Sequence, residues 1–191
     1  MRTHFIRGSF VLIAMVFSSI AYAHPGHGDS YLAGVVHPFM GQDHLLAMLA
    51  VGVWAFQLGG RAKWLVPASF VALMAVAGAL AMTGIELPMV ESSIATSVFL
   101  LGLLIAFAVK MPSALGAAIV GVFAVFHGYA HGTEMPLLGT PLHYGIGFVL
   151  STAALHGIGL LLGQGLHKQA IWLRAAGALI AAGGVWMMAV S

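Results

Sequence analysis

Ten histidines, five acidic residues and no cysteine set the chemistry open to this 191-residue chain. Without thiolates there are no disulfides, iron–sulfur clusters, soft-metal sites or cysteine nucleophiles. What remains is imidazole and carboxylate, concentrated in two short runs. The first is His37-Pro38-Phe39-Met40-Gly41-Gln42-Asp43-His44, an H-x5-DH pattern. On a continuous helix, seven residues at about 100° each return His44 to within about 20° of His37. Pro38 and Gly41 can loosen that helix so that Asp43 converges with both. In the second run, Phe126-His127-Gly128-Tyr129-Ala130-His131-Gly132-Thr133-Glu134, the residues His127, His131 and Glu134 stand at i, i+4 and i+7. That spacing is one helix stripe. Three imidazoles and two carboxylates on facing helices suit a borderline divalent metal, since imidazole fits zinc, copper, iron and nickel. Isolated structural histidines, or a proton relay through Asp43 and His44, are the competing uses of the same residues.

The elements that must position these groups are membrane helices. Hydrophobic residues make up 61% of the chain and charged ones 6%, against about 25% charged in a soluble domain. Twelve charged side chains cannot cover a 191-residue globule, which excludes a soluble enzyme, a nucleic-acid binder and a disordered tail. Arg2 and Arg7 precede an apolar run closed by Ala21-Tyr22-Ala23, the pattern of a cleavable secretory signal peptide over residues 1–23. Six apolar stretches follow, near 32–58, 64–83, 91–109, 113–132, 140–162 and 170–190. The expected fold is therefore all-α: a polytopic membrane protein with six transmembrane helices forming one domain, 24–191. Starting from an outer N-terminus, Arg61, Lys63, Lys110 and Lys168 all fall on the cytoplasmic side, as the positive-inside rule requires. This implies a bacterial inner-membrane protein whose mature N-terminus is periplasmic. Gly159-xxx-Gly163 and Gly177-xxx-Ala181 are small-xxx-small pairs, read as packing within the bundle.

Alternating span directions put both histidine runs in the outer half of the membrane. Glu91 begins the third span at that depth and His143 enters the fifth there, while His156 lies deeper. Ionisable groups inside a membrane mark function by default. Outside it, the new N-terminus would carry His24 and His27, whose α-amine and rings can capture a cation loosely. Pro25 blocks the square-planar arrangement that uses consecutive backbone amides.

An intramembrane zinc hydrolase would use His127-x3-His131 with a third histidine and an open position for water. However, no HExxH motif occurs and no Ser or Thr stands out as an oxyanion partner. A haem bundle would lack basic partners for propionates at the outer depth. Transport accounts for more: an outward-facing site, ligands that release their ion, and His156 as a lower step. No G-x4-GK[ST] motif exists for ATP hydrolysis.

The runs from His37 to Met48 and from Phe126 to Glu134, with the signal peptide, the six spans and the His24-Pro25-Gly26-His27 start, resemble the HupE/UreJ family along essentially the whole chain. The resemblance implies a nickel permease, not an enzyme, supplying hydrogenase or urease maturation. It would carry no prosthetic group and need no ATPase subunit. Its transported ion would be Ni2+, with cobalt or zinc the alternatives, and its partners the lipid bilayer and downstream nickel chaperones. By position, the resemblance assigns metal handling to His37, Asp43, His44, His131 and Glu134, with lesser support for His127 and Glu91. The first run is also similar to the H-x4-DH motif of the larger nickel/cobalt transporters, with one residue more between His and Asp.

Overall fold

Glycine and proline punctuate a chain that otherwise folds as helix. The computed structural model describes residues 30–135 and 140–190, and among these there are seven α-helices and no strand. In chain order they are α1 (Ser30–Val36), α2 (Gln42–Leu58), α3 (Ala62–Ala81), α4 (Val90–Ala106), α5 (Ser113–Thr133), α6 (Pro141–Leu166) and α7 (Ala170–Val190), with a 3-10 turn over His37–Phe39. Gly59 and Gly60, both at positive φ, turn the chain from α2 into α3, a conformation that costs glycine little. Pro112 immediately precedes α5, and Pro141 opens α6 where a missing N–H is harmless. The signal-peptide expectation, with His24 and His27, lies outside the described residues.

Helix α3 packs along α5, α4 along α7, and both α1 and α2 against α6. The outside of this bundle is apolar: Leu161, Leu179, Val122 and Leu150 are more than half exposed. Such a surface is stable against lipid, and helices that satisfy their own backbone are what lipid permits. The chain is a membrane protein. Four helices, α3, α5, α6 and α7, are each long and apolar enough to cross a bilayer, and α1 with α2 makes a fifth if that bent pair is one span. Helix α4 is apolar but has 17 residues, a little short of the usual span. The small-residue pairs pack within the bundle. Gly159 lies against the backbone of Leu49 and Gly52, and Gly177 against Gly102 and Ala106.

Charge divides the two ends. Asp43, Glu86, Glu91 and Glu134 sit at the end formed by the start of α2, the α3–α4 and α5–α6 turns and the start of α4. Arg61, Lys63, Lys110 and Lys168 sit at the opposite end.

Candidate metal centre

The first run does not form one helix. The 3-10 turn at His37–Phe39 ends at Met40, Gly41 is extended (φ −87°, ψ 120°), and α2 starts at Gln42, so the chain bends by 77°. His37 and His44 therefore do not stack on one stripe, and an angular count over residues 37–44 fails. The loosening at Pro38 and Gly41 is a full break. Gly41 also makes room, because a Cβ there would stand 2.7 Å from Asp43 Oδ1 and 3.0 Å from His44 Nδ1. In that space Asp43 Oδ1 accepts the His44 backbone N–H at 2.8 Å and faces His44 Nδ1 at 2.9 Å. A carboxylate on one ring nitrogen fixes the tautomer and leaves the other as a lone pair, the usual arrangement behind a metal-binding histidine. That other atom, His44 Nε2, is buried without a partner among the described residues.

The second run keeps its predicted stripe at His127 and His131, whereas α5 ends at Thr133 and Glu134 is its C-cap. Gly128 and Gly132 lie directly on the α3 backbone at Met74 and Gly78, where any side chain would collide. This seats α5 against α3, while His127 and His131, buried and one turn apart, meet α2. The His44 ring is 4.8 Å from that of His127 and 4.0 Å from that of His131, and His37 is 4.7 Å from His131, centroid to centroid. The order His37, His131, His44, His127 is thus a continuous row of imidazoles from a half-exposed rim inward.

Proton bookkeeping shows which nitrogens are free. Ser97 on α4 donates its hydroxyl to the Ile94 carbonyl at 2.7 Å, so at 2.8 Å it accepts from His127 Nε2. His127 Nδ1 is then the lone pair, and it is buried without a partner among the described residues. Both nitrogens of His131 likewise lack a hydrogen bond among the described residues. Buried polar atoms are nearly always hydrogen-bonded, so a group of four orphaned imidazole nitrogens calls for an explanation. A cation supplies one.

At the rim, His37 Nε2 meets Glu134 Oε2 at 3.1 Å, and His131 Nδ1 is 3.9 Å from the same oxygen. Ligand atoms of His37, His131 and Glu134 all lie within 4.8 Å of one another. Ligands about 2.0–2.2 Å from a shared ion stand up to about 4 Å apart, so small side-chain rotations would close the set. An arriving cation would displace the proton shared by His37 and Glu134, since metal binding releases protons from its ligands.

Two residues expected at this depth stand apart. His143 is exposed in the first turn of α6, and Glu91 is exposed in the first turn of α4 without an ion pair among the described residues. The position of a residue along its span sets depth, but helix rotation sets direction, and neither residue carried a spacing that could fix rotation. Ser97 and Tyr144 went unseen for the opposite reason. They are ordinary polar residues of apolar helices, and only packing brings Ser97 to His127, or Tyr144 to within 5.7 Å of His37, ring to ring.

The profile of the HupE / UreJ protein family matches residues 12–187. Protein HupE of Rhizobium leguminosarum bv. viciae is 47% identical over 181 residues, covering 93% of this chain and 95% of that protein. No solved structure matches.

Proposed function

The chain belongs to the HupE/UreJ family, and on that premise we propose that it is a nickel uptake permease of a bacterial inner membrane, feeding hydrogenase or urease maturation. Members of this family are accessory proteins and permeases, not enzymes, which sets the zinc hydrolase aside. The observation that carries the proposal is the row of imidazoles. It starts at the acidic end of the bundle, where His37 and Glu134 reach solvent, and continues through His131 and His44 to His127 with free lone pairs along its length.

In this reading Ni2+ is the cargo. Residues 1–23 are removed, α1 with α2 is one broken span, and α4 completes six crossings with the N-terminus periplasmic. The acidic end then faces outward and raises the local concentration of divalent cations, with Glu91 as part of that rim. His24 and His27 capture the ion, and His37, His131 and Glu134 take it from them. His44, held by Asp43, and His127, held by Ser97, receive it next. Neutral nitrogen and carboxylate ligands without thiolates bind a borderline ion without trapping it. Cobalt would fit the same donors.

Uptake of radioactive nickel into cells expressing the chain, with cobalt and zinc as competitors, tests this. Asp43→Asn, His44→Ala and Glu134→Gln are each expected to abolish accumulation at near-normal membrane abundance. Full uptake by all three variants would overturn the site.

A further inference from the structure

His156 continues the row beyond the residues that either sequence run contains. It lies on α6, 1% exposed, and neither ring nitrogen has a hydrogen-bond partner among the described residues. The backbone of Met48 on α2 faces it without completing a hydrogen bond. The Phe70 ring of α3 touches both neighbours, its centroid 5.6 Å from His127 and 5.0 Å from His156. One turn before His156 on α6, the Thr152 hydroxyl points to Met74 Sδ at 3.8 Å, and both residues are buried. An imidazole serving only to fill space would be replaced at no loss by leucine or methionine, since burying its two nitrogens unpaired is costly. At Gly52 the α2 backbone lies directly on the His156 backbone carbonyl, which holds this turn of α6 close against α2.

We propose that His156 is a second station for the transported cation, taking it from His127 past Phe70 and releasing it toward the basic end of the bundle. The Thr152 hydroxyl, Met74 sulfur and Met48 carbonyl are its weak auxiliary donors. One imidazole with neutral oxygen and sulfur donors carries no charge to hold a divalent ion, so the station binds weakly and empties readily. The proposal rests on the permease reading, and binding and transport must therefore be measured separately.

The full chain is purified in detergent for equilibrium dialysis against nickel chloride and reconstituted into vesicles for nickel influx, unmodified and as His156→Ala and His156→Gln. Glutamine keeps a polar side chain of similar reach should the alanine variant fail to fold. The expected result is nickel affinity at the rim within about threefold of the unmodified chain, with influx reduced by about tenfold or more. Influx above a third of normal in a folded variant overturns the station. So does loss of rim affinity together with influx, which would make His156 part of the outer site or of the fold. Absence of nickel binding by the unmodified chain overturns the permease reading itself, and the station with it.

Discussion

The two ends of the bundle treat their polar side chains on different terms. At the basic end they are bonded to backbone. Arg174 donates to the Ala106 carbonyl at 2.8 Å, Gln57 to Ile105 at 3.2 Å and Trp54 to Val109 at 3.2 Å, so three side chains satisfy carbonyls around the end of α4. The Ala106 carbonyl, at the last residue of α4, is one of the groups a helix terminus leaves unpaired. At the acidic end, His44, His127 and His131 are more deeply buried than Arg174 or Gln57, yet each has at least one ring nitrogen without a hydrogen bond among the described residues. The basic end shows that this chain finds backbone partners for polar side chains, the buried Trp54 among them, where only the fold is at stake. Leaving imidazoles open at the other end is then a property of that end, and it points to an ion as the missing partner. Near the basic end, Gln57 Oε1 is without a hydrogen bond among the described residues, but it sits on a side chain already anchored through its amide nitrogen.

The largest effect expected from breaking this contrast is at His131, which touches both the rim and the inner pair. His131→Ala should lower nickel uptake by about 100-fold or more, at normal membrane abundance because no hydrogen bond is lost. A variant that fails to accumulate in the membrane would instead place His131 among the structural residues.

Ser97→Ala comes next. It removes the acceptor that fixes the His127 tautomer, and loss of such support costs about tenfold in metal handling. Ser97→Thr keeps the hydroxyl and should recover much of the rate, whereas equal loss in both variants would mean that volume at this position matters, not the proton.

A smaller and conditional effect belongs to the leader. Replacing His24 and His27 together by Ala should slow uptake when nickel is scarce and leave it nearly normal at saturation, because the inner ligands are intact. Equal slowing at both concentrations would join these residues to the main site.

The smallest effect on transport is expected at the basic end. Arg174→Ala or Gln57→Ala should lower stability by about 1 kcal/mol, the net worth of a hydrogen bond, read as a small drop in the detergent melting temperature. Uptake per folded molecule should not change. A clear loss of transport here would dissolve the distinction between the two ends.

Composition determined that this chain lives in a membrane, because so few charges leave no other solvent for its surface. Spacing determined that His127 and His131 share a stripe, since nothing interrupts α5 between them, and it put Glu134 just past the helix end as its cap. Local periodicity failed at His37–His44. A helix count assumes unbroken hydrogen bonding, and Pro38 and Gly41 break it by an angle that the residues do not encode. Azimuth was likewise invisible. Glu91, His143 and His131 lie in the terminal turns of their helices at one end of the bundle, but only the packing of α5 on α3 through Gly128 and Gly132 turns His131 toward His44, and nothing turns the other two inward. The partners that decide protonation divide the same way. Asp43 is adjacent in sequence to the ring it holds, whereas Ser97 lies thirty residues from His127 and meets it only because α4 and α5 pack side by side. Sequence fixes which groups are present and at what depth, through hydropathy and local repeat. Which of them face one another, and which nitrogens are left open, follows from helix rotation and close approach, and these are properties of the assembled bundle.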